Sequence, residues 1–107
     1  MKTSFARFLL LTAALIVLSG ANAMAQDGKA LYAAKGCTAC HGPDGKAPIM
    51  PMYPKLAGQN SEYMFEQIKD FKANKRTNGQ AALMVGMVAS LSEAEAKAIS
   101  DYLSKVK

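Results

Sequence analysis

The 107-residue sequence has no tryptophan, one histidine, two cysteines and two arginines. With Arg only at Arg7 and Arg76 and no aromatic-interleaved basic stretch, the chain lacks the pattern of a nucleic-acid binder, although 13 Lys+Arg against 8 Asp+Glu give a formal net charge of +5. No stretch alternates apolar and polar residues with period two over strand length, which excludes a sheet protein. Long apolar runs are missing too. The longest, Phe8 to Leu18, has 11 residues, well short of the roughly 20 that span a bilayer as a helix. What the chain does have, 50% hydrophobic and 20% charged residues, excludes a disordered polymer and fits one globular domain.

The apolar run lies between Lys2 and Arg7 on one side and the Ser19-Gly20 break on the other, and Ala23-Met24-Ala25 follows. A basic start, a short apolar centre and a small-x-small site make up a secretory signal peptide over residues 1–25. Cleavage after Ala25 leaves 82 residues, Gln26 to Lys107. Eleven basic residues then face eight acidic ones, a net of +3. No second apolar run follows, so no membrane span is expected after cleavage, and the mature protein is expected to be soluble outside the cytoplasm.

An 82-residue chain buries only about 60% of its unfolded surface and often needs a disulfide, metal or cofactor to complete its core. The coarse pattern of this one is helical. Asp27 caps a helix running to Lys35, with Gly36 as its stop. Gly42 to Asn60 holds all four prolines (Pro43, Pro48, Pro51, Pro54) and reads as a long loop without regular structure. Ser61 is the expected cap of a helix from Glu62 to about Asn74, with Met64, Ile68 and Phe71 on one face. Gln80 to Leu91 reads as a short helix passing into a loop. Ser92 and Glu95 form a capping box for a last helix whose apolar stripe is Ile99, Tyr102, Leu103 and Val106. The fold class is all-α.

Both cysteines and the histidine fall within Cys37-Thr38-Ala39-Cys40-His41. A disulfide between residues three apart would close a tiny loop and constrain little of the unfolded chain. It would also leave His41 unexplained. A zinc site needs about four ligands, and no other Cys or His exists in the chain. A thioredoxin-like pair needs a βαβ setting, which is absent. C-x-x-C-H is the attachment signature of c-type haem. Two thiols on one helical turn reach the two vinyl groups of a porphyrin, and the next residue offers its imidazole to the iron. A second axial ligand has to be a methionine, since no second His exists. Met50, Met52, Met64, Met84 and Met87 are the candidates. Met64 reads as core, and chain length does not exclude Met50 or Met52.

These residues together resemble a small class I cytochrome c, a bacterial periplasmic monohaem c-type cytochrome, with three to four helices wrapped around one covalent haem. The resemblance rests on Gly28 and Tyr32 and on Cys37-x-x-Cys40-His41-Gly42. It rests also on Tyr53 to Gln59, on Met84-Val85-Gly86-Met87 leading into Leu91-Ser92, and on Ile99 and Tyr102. It covers residues 26–107. It implies that Gly28 and Tyr32 pack against Ile99 and Tyr102, and that Met84, rather than Met87, is the second iron ligand. It further implies that Pro54 offers its carbonyl to His41. Arg76-Thr77-Asn78 resembles a stretch near the haem carboxylates, where Arg76 either neutralises one of them or serves as an ordinary helix-end Arg beside the C-terminal dipole. The expected cofactor-binding set is therefore Cys37, Cys40, His41, Met84 and Pro54, with His41 and Met84 on the metal. The implied function is electron transfer between redox partner proteins that dock transiently, without enzymatic activity. A cytochrome subunit of a periplasmic dehydrogenase and a ligand-binding haem protein stay open as alternatives.

Overall fold

The computed structural model describes residues 27–107, so the expected signal peptide and its cleavage site lie outside the described residues. Five helices follow in order: α1 (Gly28–Ala34), α2 (Thr38–His41), α3 (Ser61–Lys72), α4 (Ala81–Val88) and α5 (Glu93–Ser104), with a 3-10 turn at Pro43–Gly45. Among the described residues there is no strand, as the all-α expectation requires.

The ends of these helices follow local chemistry. The Asp27 carboxylate accepts from the Ala30 N–H at 3.1 Å, and the chain leaves α1 through Gly36 at φ +80°. At α5 both capping-box bonds form: the Glu95 N–H donates to Ser92 Oγ at 3.1 Å, and the Ser92 N–H to Glu95 Oε1 at 3.0 Å. That Ser92 N–H, with help from Lys35 3.5 Å away, holds the Glu95 carboxyl below its ordinary range. The expected cap of α3 was one residue off. Asn60 is the cap, accepting from the Tyr63 N–H at 2.9 Å, and Ser61 is the first helical residue. Both types cap well, but Ser61 is drawn elsewhere, its hydroxyl donating to Asp101 on α5. The helix closes at Lys72, where Asn74 reverses the chain at φ +58°. The proline-rich loop is irregular apart from its one 3-10 turn, a small departure from the expected absence of regular structure.

The frame is the crossing of the two terminal helices. A Cβ on Gly28 would sit 2.1 Å from the Ala98 carbonyl oxygen and 2.7 Å from Tyr102 Cβ, so only glycine permits the approach. The Tyr32 and Tyr102 rings meet beside it, centroids 6.1 Å apart. α3 packs on α5 and α4, and the Lys72 ammonium donates to the Leu91 carbonyl at the α4–α5 junction. Gly28→Ala should destabilise the protein by about 3 kcal/mol, the upper end for overpacking. Thermal melts should then fall by roughly 12 °C or more; a change of under about 4 °C would mean that the crossing tolerates a methyl group.

Candidate functional site

The four elements around α2 enclose a cavity of about 440 Å³, open at one side and walled mainly by apolar side chains. Protein interiors are packed as densely as organic crystals, with few voids larger than a water molecule. A space of this size in so small a chain is a site for an occupant.

The α2 turn brings the motif to the wall. The His41 N–H donates to the Cys37 carbonyl at 3.0 Å, closing one helical turn that sets Cys37, Cys40 and His41 along the cavity. Both cysteines are free thiols and half-buried, so no disulfide links them. Burial pushes the Cys37 thiol above its ordinary pKa. His41 is only 5% exposed. Its Nδ1 lies 2.9 Å from the Pro54 carbonyl oxygen. A carbonyl only accepts, so Nδ1 carries a proton, and in the neutral ring that leaves the lone pair on Nε2.

The methionines separate by position. Met50 is exposed and lies outside the cavity, lining a shallow depression with Pro48, Ile49 and Tyr53. Met52, Met64, Met84 and Met87 all line the cavity. Met64 is buried in the core, as its helical stripe predicts, while Met84 is half-buried and packed against that core from α4. Met87 is 46% exposed, and its methyl lies 3.6 Å from where a Cβ on Gly36 would be.

The cavity also has a polar corner. The Arg76 guanidinium donates to Gln67 Oε1 at 2.8 Å and lies 4.8 Å over the Phe71 ring. Among the described residues no carboxylate reaches it within ion-pair distance. Gln67 escaped the sequence reading. The signal was there: it is the polar member of the inward Met64, Gln67, Ile68, Phe71 series at i, i+3, i+4 and i+7.

A family model described as Cytochrome c matches residues 25–107. The chain belongs to the cytochrome c family. Cytochrome c-553 of Nitratidesulfovibrio vulgaris (strain DSM 19637 / Miyazaki F) is 37% identical over 84 residues, covering 78% of this chain and 80% of the relative. Cytochrome c4 of Pseudomonas aeruginosa is 40% identical over 99 residues, covering 92% of this chain but 46% of that protein. The crystal structure of reduced recombinant cytochrome c4 from Pseudomonas stutzeri superimposes with a TM-score of 0.65 at 32% identity, over 80% of this chain and 50% of that one. The chain thus spans four-fifths of the c-553 relative and about half of the c4 proteins. This cytochrome is an electron-transfer protein with covalently bound haem c, and its fold is the class I cytochrome c fold.

The residues present fit that group. Two free thiols and a tautomer-fixed imidazole share one edge of an apolar cavity, thioethers reach it from α4, and an uncompensated guanidinium stands in its polar corner.

Proposed function

We propose that the chain is an exported carrier of single electrons, with residues 26–107 as the mature cytochrome domain, Cys37 and Cys40 as the haem attachment points, and His41 and Met84 as the axial ligands. The observation that supports this best is the juxtaposition of the C-x-x-C-H turn, with His41 tied to Pro54, and the α4 methionines around one apolar cavity. Bound haem supplies a one-electron iron couple. The Pro54 carbonyl orients the His41 ring and raises its basicity. Met84 offers a soft thioether that favours reduced iron. With both positions filled by protein, no site is left for a substrate, which fits a carrier and not an enzyme. Arg76, held by Gln67 and the Phe71 ring, supplies a fixed positive charge for a haem carboxylate.

Mass spectrometry of the exported, denatured protein tests the core of this reading. One haem should remain attached to a chain beginning at Gln26. Haem lost on denaturation, or a Cys37–Cys40 disulfide in the active protein, would overturn it.

Transient partner docking follows from the surface. The Gly42–Asn60 loop exposes Ile49, Met50 and Met52, and Lys46 and Lys55 stand on the same loop. Lys35 is engaged by Glu95 at 3.5 Å and contributes less free charge. An apolar patch with a basic rim speeds and orients encounter with an acidic partner without making the complex tight. Stopped-flow rates with an acidic redox partner should fall as salt rises, and Lys46→Glu or Lys55→Glu should slow them several-fold more than Lys105→Glu. Equal effects at all three lysines would point to apolar docking alone. No described helix is long and apolar enough to cross a membrane.

A further inference from the structure

The turn that follows His41 is held from two sides by tyrosines that the electron-transfer reading leaves without a role. The Tyr32 hydroxyl, on α1, donates to the Gly42 carbonyl at 2.6 Å, a buried contact with the residue next to His41. The Tyr102 hydroxyl, on α5, donates to the Asp44 carboxylate. Asp44 stands at φ +57°, a left-handed position that few residues other than glycine, Asn and Asp occupy readily. The next carbonyl, of Gly45, accepts two backbone N–H groups, from Leu56 at 2.9 Å and Ala57 at 3.1 Å. Leu56 is two residues beyond Pro54, whose carbonyl meets His41 Nδ1 at 2.9 Å. A short path of hydrogen bonds therefore runs from each terminal helix, through the Gly42–Gly45 turn, to the one contact that fixes the His41 ring.

We propose that Tyr32 and Tyr102 are positioning residues that hold the Gly42–Gly45 turn, and through it the Pro54 carbonyl, against His41, so that the crossing of the terminal helices sets the electron-donating power of the imidazole. Both hydroxyls remain donors throughout the neutral range. Burial pushes Tyr32 up to about 12, and the hydrogen bond to Asp44 raises Tyr102 to about 12. The Leu103 side chain would crowd any Cβ on Gly45 at 3.0 Å and Leu56 Cβ would do so at 3.2 Å, so the turn has little room to shift while these bonds hold. A stronger Nδ1–H···O bond makes the ring a better donor and favours oxidised iron; a looser one raises the midpoint potential.

The proposal rests on His41 ligation and is tested on exported holo-protein by two measurements: the exchange rate of the His41 Nδ1 proton by NMR, and the midpoint potential. Tyr102→Phe should speed exchange about tenfold, the factor equivalent to about 1.4 kcal/mol, near the upper end for a net hydrogen bond, and should raise the potential. Ser61→Ala also removes a hydrogen bond to α5, one that involves neither tyrosine nor the turn, and should change the melting temperature while leaving both readouts alone. Asp44→Asn keeps an acceptor and tolerates the left-handed backbone, so it should match the wild type, whereas Asp44→Ala should behave as Tyr102→Phe does. Variants that lower only the melting temperature, with exchange and potential unchanged, would overturn the positioning role while leaving His41 ligation standing. A wild-type protein whose His41 ring shows no iron-shifted resonance would remove the ligation reading and this inference together.

Discussion

Protein made in the cytoplasm, without the machinery that attaches haem, should show weak helical circular dichroism and no cooperative melt. The core is the reason. Tyr32, Met64, Phe71, Val88, Leu91, Ile99 and Leu103 form the buried apolar cluster, and every one of them also lines the 440 Å³ cavity. These side chains bury themselves against the occupant's space as much as against one another. An unfilled cavity leaves these side chains without packing partners on one side, a loss on the order of several kcal/mol in a core. A folded domain of this length has only about 4 to 12 kcal/mol of stability in total. The empty fold therefore has little left to hold it, and folding and haem attachment become one event, as for other small domains completed by a bound group. Replacing Cys37 and Cys40 together by Ala in the exported protein should have the same outcome, with the unfolded product removed by periplasmic proteases. An apoprotein that melts sharply would show that the helices collapse into the cavity and form a core of their own.

Which parts were legible in the sequence follows from how local their causes are. The capping box at Ser92, the Gly36 stop and the α2 turn each depend on residues a few positions apart, and the structure reproduces them. The Gly28 crossing, made between the two terminal helices, came from the family resemblance and is reproduced as well. The α3 cap slipped by one residue because Asn60 and Ser61 are both good caps, and only the pull of Asp101, 40 residues away, decides between them. The site divides in the same way. Cys37, Cys40 and His41 sit within one turn and declare themselves by spacing. The Pro54 carbonyl is a backbone group whose placement depends on the path of an irregular loop, so it came from the family resemblance and not from pattern. Gln67, Asp44 and the two tyrosine hydroxyls act across 9 to 58 positions of sequence. Gln67 alone is marked by local periodicity, as the polar member of the inward α3 series; nothing marks the other three, because hydrogen bonds between distant loops and helices leave no spacing to read.

Replacing Met84 by Ala should abolish the far-red band of a methionine bound to iron(III) and open the ferrous protein to carbon monoxide. The choice among methionines turns on α4. Ala81, Met84 and Val88 recur at i, i+3 and i+7 on its inward side, where Val88 is buried and the other two are half-buried against the core. Leu83 and Met87 also border the cavity but are 56% and 46% exposed. An iron ligand has to be held in one rotamer by its surroundings and shielded from water, because a thioether is a weak ligand that water or a stronger base displaces once the site opens. Met84 meets that condition. Met87 sits at the mouth beside Gly36, and Met87→Ala should cost about 1 kcal/mol or less with the band intact. Met64 is buried deeply enough to compete, but it lies in the α3 stripe with Ile68 and Phe71, where a leucine of similar volume would pack as well. Met64→Leu should therefore keep the band and its carbon monoxide resistance. Loss of the band in Met64→Leu or Met87→Ala, with Met84→Ala unaffected, would move the ligand to that residue and make the inward stripe of α4 a packing surface only.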